Sequence, residues 1–263
     1  MNKLKGIFLI AGNTVTGVMR GVILSVMLLL AAILILLSLS SNAFDSSQIR
    51  NMLMDSGLAI ISVLGAIIAI LTGFNMIPNE IETRTIYPVL SKPVSRWQYI
   101  TGKYLGAVGI NAITTTLLSI LFFIIYIYRA PGHVFDMRLI PAVLMIFAIL
   151  CTLSAIIIFL STFMSWIGTI IVTACIWFAG NYAQFLFDMT EHGSGSAFSK
   201  NLLAVVHQLL PNFQSMDMRY LIVQEQVPSI TFSMISAPLF LQGIPYIIIC
   251  MLLAIIIFNY REL

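Results

Sequence analysis

Six runs of nearly unbroken apolar residues follow one another along the chain, near Gly21–Ser40, Gly57–Ile77, Leu105–Tyr128, Ile140–Thr162, Gly168–Phe187 and Leu239–Asn259. At a rise of about 1.5 Å per residue, ~20 helical residues cross the ~30 Å hydrocarbon layer of a bilayer, so each run is long enough to span one. The first is the cleanest, with only Ser25 and Ser38 interrupting Val, Leu, Ile, Met and Ala. The fourth and fifth are separated by little more than Phe163-Met164-Ser165-Trp166, a connection short enough to make them antiparallel neighbours. Trp166 suits a headgroup-level position there. The pattern predicts an all-α polytopic membrane protein with six transmembrane helices in one domain, residues 1–263.

Two other regions are not spans. Met1–Met19 pairs Lys3 and Lys5 with Ile7, Phe8, Ile10, Ala11, Val15 and Val18, which predicts a loosely amphipathic helix lying on the membrane surface before the chain turns in at Arg20-Gly21. Asp188–Pro238 is a long loop. Its first part, Glu191-His192-Gly193-Ser194-Gly195-Ser196, is turn-like. Its second, Asn201–Gln226, is rich in Leu, Val, Met, Phe and Tyr; the piece Leu202–Leu210 is apolar but too short to cross, and short helices dipping back into the outer leaflet fit it better.

Composition agrees. Of 263 residues 60% are hydrophobic and 9% charged, with a mean hydropathy of +1.02, more apolar surface than one soluble core could hide. The net charge of +3 is small, and no basic tract points to nucleic acid. Cys151, Cys175 and Cys250 sit inside apolar runs and read as small hydrophobes. Met1–Arg20 lacks the plan of a secretory signal. With the N-terminus in the cytoplasm, the inner segments carry eight basic residues (Lys3, Lys5, Arg20, Arg84, Lys92, Arg96, Lys103, Arg261) against five outside (Arg50, Arg129, Arg138, Lys200, Arg219). The positive-inside rule therefore predicts both termini in the cytoplasm.

Catalytic signatures are missing. Thr101-Gly102-Lys103-Tyr104 lacks the upstream glycine and the hydroxyl of a phosphate-binding loop, so this chain is not expected to hydrolyse ATP or to bind a cofactor itself. No His-Glu-x-x-His helix or inner Asp cluster is present, and His133, His192 and His207 are too scattered for a metal site. The spans hold almost no ionisable group, which argues against an ion-driven carrier. Their polar residues are neutral: Asn111, Thr114-Thr115-Thr116, Asn181, Gln184 and Gln242. Asn111, Asn181 and Gln184 either hydrogen-bond between helices, at ~0.6 kcal/mol per contact, or line a weakly polar path at a subunit interface. The membrane part thus offers a route without a visible power source.

Energy has to arrive at the one strongly charged stretch, Asn79 to Arg96, which water must hold between the second and third spans. A short helix from about Asn79 keeps Glu80 and Glu82 near its N-terminus, where the macrodipole favours acids. Pro88 ends or bends it near Tyr87. Ser95 with Gln98 three residues on is a capping box, so a new helix starts there and runs through Lys103 into the third span. The expected result is a rigid knob able to transmit force.

The run Glu82-Thr83-Arg84-Thr85-Ile86-Tyr87-Pro88-Val89-Leu90-Ser91-Lys92-Pro93-Val94-Ser95-Arg96, followed by Tyr99 and Gly102-Lys103-Tyr104-Leu105-Gly106, resembles the permease subunits of type-2 ABC (ATP-binding cassette) exporters, particularly their NosY-like branch. Ile10-Ala11-Gly12-Asn13-Thr14-Val15 with Met19-Arg20, and the closing Phe258-Asn259-Tyr260-Arg261-Glu262-Leu263, are similar as well. The resemblance implies the type-2 exporter fold, with the Glu80–Leu90 region as a coupling helix seated in a separate cytoplasmic ATPase that binds ATP and Mg. Glu80, Glu82, Arg84, Tyr87, Lys92 and Arg96 would contact the ATPase while Pro93 and Ser95 hold the shape. It also implies two permease copies, identical or not, in the cytoplasmic membrane, an N-terminal connecting helix and re-entrant outer helices after Asn201. The expected function is export of an unidentified substrate. The rival is a non-transporting scaffold through which the same ATPase works mechanically on an outer partner.

Overall fold

The computed structural model describes residues 3–19, 21, 29, 33, 46–73, 95–129, 136–192, 211–219 and 236–260. These residues are helical wherever they are regular, and no strand occurs among them. In chain order the helices are α1 (Lys3–Met19), α2 (Ser46–Gly73), α3 (Arg96–Arg129), α4 (Leu139–Ser161), α5 (Trp166–His192), the single turn α6 (Phe213–Met216) and α7 (Ile244–Tyr260). Among the described residues, four stretches are long and apolar enough to cross a membrane: Asn51–Gly73, Arg96–Tyr128, Leu139–Ser161 and Ser236–Tyr260, with a shorter apolar helix at Trp166–Tyr182. The expected first span, 21–40, lies outside the described residues apart from Gly21, Leu29 and Ile33. So do most of the expected Asp188–Pro238 loop and its Leu202–Leu210 piece.

α4 is the centre of the bundle. It is apolar on every side, so it is stable only when wrapped, and α2, α3, α5 and α7 all pack on it. Its Leu150, Leu153, Ala155 and Ile157 meet Leu58, Ile61 and Ala69 of α2 and Phe122 and Tyr126 of α3 in one core. Several hydroxyls in these apolar helices return to their own backbone: Thr72 Oγ1 donates to Ile68 O at 2.8 Å and Thr152 Oγ1 to Ala148 O at 3.0 Å. This satisfies groups that hydrocarbon could not.

α7 buries a narrow stripe, Cys250, Ala254 and Phe258, and leaves Ile249, Leu252 and Ile256 exposed. In water such a face would be unstable, whereas in lipid it costs nothing. The turn before α7 is widened, with the Ile244 N–H bonded to Leu239 O five residues back over Leu239–Gly243. Pro245 follows directly; its ring would press on the carbonyl four residues earlier, and the wider turn makes room.

α2 and α4 run in the same direction, with Gly65 against Leu150 and Gly73 against Ile157, and α3 runs against them, with Phe122 at Gly57 and Asn111 at Leu150. The two ends of the bundle differ in character. One end holds α1, the start of α3 and the last turn of α7. The other holds α6, the N-terminal half of α2 and the middle of α5.

Candidate functional site

At the first end, the start of α3 is locked by local and distant bonds. Gln98 Oε1 accepts from the Ser95 N–H at 3.0 Å, while the Gln98 and Tyr99 N–H groups donate to the Ser95 carbonyl at 3.0 and 3.2 Å. The capping-box spacing therefore folds into a fixed helix start. The Arg96 guanidinium crosses to α7, where Nη1 donates to Phe258 O and Asn259 O, both at 3.0 Å. A cation on the last carbonyls of a helix satisfies orphan acceptors and the macrodipole together, worth about 0.3–2 kcal/mol for the charge alone. Beneath it Tyr99 stacks on Phe258 with ring centroids 5.7 Å apart, and Lys103 Nζ stands 5.6 Å from the Tyr99 centroid. Tyr99, Ile100, Ala254 and Phe258 form a buried cluster that α1 closes through Ile10, Val15 and Val18.

α1 reaches α3 closely because α3 presents glycines. A Cβ on Gly102 would stand 2.9 Å from Ile10 Cβ, and one on Gly106 2.8 Å from Thr14 Cβ. Those neighbours are main-stem atoms of β-branched side chains, so relief would require moving a helix. Ile7, Ala11 and Thr14 of α1 are buried by this contact, while Phe8 and Leu9 on its other side are each 68% exposed.

At the opposite end, a cleft of ≈ 560 Å³ opens between α2 and α5. Asp55, Ala59, Ser62 and Val63, on one face of α2, form one wall. Trp177, Phe178, Asn181 and Tyr182 of α5 form the other. Gln214, Asp217 and Arg219, from the segment around α6, close the end. That segment is held down by Phe213 and Met216, both buried, and by Ser215 Oγ donating to Gln242 Oε1 at 2.6 Å. Gly180 lets it approach α5: a Cβ there would stand 2.6 Å from Pro211 O. Arg219 pairs with Asp217, Nε donating to Oδ2 at 2.6 Å, and its own N–H donates to Asp217 Oδ1 at 3.0 Å. Burial alone would lower the Arg219 pKa, but the hydrogen bond and charge of Asp217, with the charges of Asp55 and Tyr182 behind it, hold it above its ordinary value. The aromatic wall is ordered by its own contacts. Trp177 meets Phe178 edge-on at 5.1 Å, and Phe178 stacks on Tyr182 at 6.4 Å.

The residues singled out in sequence fall in several places. Glu80, Glu82, Arg84, Tyr87, Lys92 and Pro93 lie outside the described residues, as do His133, His207, Lys200 and the side chain of Gln184. Ser95 and Arg96 stand together at the α3 joint. Asn111 is buried between α3 and α4, where Nδ2 donates to Leu150 O at 3.1 Å and Ser154 Oγ at 2.8 Å. Asn181 lines the cleft and donates to its own helix at Trp177 O, 2.8 Å away. Sequence reasoning missed Asp55, Asp217 and Arg219 as site residues, and counted Arg219 only as an outer charge. The signal available was Asp55 near the start of an apolar run, where an unsolvated carboxylate needs a reason.

Residues 20–263 match the model of a protein family described as ABC-2 family transporter protein. No curated protein matches the chain.

Proposed function

The chain belongs to the ABC-2 transporter family and is a membrane permease of an ABC system; on that premise we propose that it is the export permease moved by a separate cytoplasmic ATPase. Both termini lie in the cytoplasm, six helices cross the membrane, and α1 rests on the inner surface with Phe8 and Leu9 toward the lipid. The charged loop before Ser95 seats on the ATPase through Glu80, Glu82, Arg84, Tyr87 and Lys92, while Arg96, expected from the sequence to join them, has its guanidinium on the α7 carbonyls and fastens the loop's end to the bundle. ATP and Mg are held in the partner ATPase. Two permeases, identical or paired with a homologue, enclose a path along α2 and α5.

The observation that carries this reading is the joint at the start of α3. The helix begins directly after the charged loop and is tied at once to α1 and to the end of α7. A push delivered to the loop is therefore passed to three helices as a body, as a rigid switch between inward and outward access requires. A flexible connection would absorb it. The NosY-like resemblance supports the same arrangement.

The direct test is Glu82→Lys in the assembled transporter. We expect ATPase association or coupling to be lost, with export falling to background while the bundle unfolds at its usual temperature. Unchanged ATPase binding together with unchanged export would overturn the coupling assignment.

A further inference from the structure

We propose that the α2–α5 cleft binds an amphipathic organic cation, the substrate class of the permease, by its charged group at Asp55 and its apolar body on Trp177, Phe178 and Tyr182. This rests on the permease reading above.

Charge sets the sign of the ligand. Asp217 and Arg219 neutralise one another in a direct ion pair. Asp55, exposed to the same cleft, adds a second carboxylate that also feels the Arg219 charge, so the described lining carries two acids against one base. An excess of one negative charge beside a wall of three aromatic rings is a pairing suited to a cation with apolar bulk, because ring faces attract positive charge as well as hydrocarbon. An anion would meet the Asp55 charge, and a neutral molecule would gain nothing from it.

Size and shape agree. The cleft volume of ≈ 560 Å³ lies within the ~300–1,000 Å³ usual for small-molecule sites. The cleft also lies between helices and not inside one, so its width follows any movement of α2 against α5.

Tryptophan fluorescence gives a local test, since the chain has three tryptophans and Trp97 and Trp166 lie at the other end of the bundle. With Trp97→Phe and Trp166→Phe, Trp177 reports binding to the purified permease in detergent. Tetraphenylphosphonium and tetraphenylborate serve as probes of like shape and opposite charge. The cation is expected to bind about tenfold more tightly than the anion, Asp55→Asn to bring the two within about twofold, and Asp55→Glu to keep the preference. Equal affinity for both ions, or a cation preference that survives Asp55→Asn, would overturn the inference. The measurement needs no ATPase, so it is decided separately from the coupling test on Glu82.

Discussion

Arg96 follows the charged loop in sequence, yet its guanidinium reaches the far end of the chain, bonding Phe258 and Asn259 of α7. Removing it leaves two last-turn carbonyls of α7 without their cation. Arg96→Ala should cost about 1.5–3 kcal/mol, the range for hydrogen bonds to charged groups, while Arg96→Lys should retain part of it. Thermal unfolding in detergent reads the loss directly, and wild-type stability in Arg96→Ala would remove Arg96 from the joint. Asn111 is a second single-residue link. Asn111→Ala should lower stability by about 1 kcal/mol through its contacts to Leu150 and Ser154, an amount a denaturation midpoint resolves. The Ser95–Gln98 bond was legible in sequence because a capping box is local chemistry at fixed spacing. The partners of Arg96 and Asn111 were not, since nothing near either residue in the chain names a carbonyl on another helix.

At the scale of elements, α1 and the start of α3 behave as one unit. The amphipathic pattern of α1 was readable from Lys3, Lys5 and the apolar positions between Ile7 and Val18. What it packs on was not, because the pattern has apolar residues on two sides and does not say which one meets protein. The glycines of α3 decide it: the face with Ile10 and Thr14 fits against Gly102 and Gly106. Gly106→Val should push α1 off that surface at a cost of about 1–3 kcal/mol. The expected readout is faster proteolysis of the N-terminal helix with α2 to α5 still resistant. Unchanged protection would mean the helix reaches its place by other contacts. Coupling should weaken in the same variant, since the joint would lose one of its three helices.

For the whole molecule, the proposed pairing of two permeases needs a surface on which they meet. Ile167, Ile171, Cys175 and Phe178 form an exposed stripe along α5, beside the cleft. In the assembled transporter the stripe should be covered, so a maleimide should label Cys175 in the dissociated subunit and fail to do so in the assembly. Cys151, buried in both, serves as the control. Equal labelling of Cys175 in the two states would place the subunit contact on another helix.

Hydropathy along the chain was enough to establish a helical membrane protein, and charge to single out one segment, Asn79 to Arg96, that hydrocarbon would exclude. Those conclusions hold at the level of sequence because bilayer thickness and the cost of charge in hydrocarbon act on each segment alone, whatever its neighbours. Which polar residues meet depends on helix rotation and on chain returning from far away. Tertiary packing therefore decided that Asn111 bridges α3 and α4, that Arg96 fastens α7, and that Asp55, Trp177 and Arg219 share one cleft.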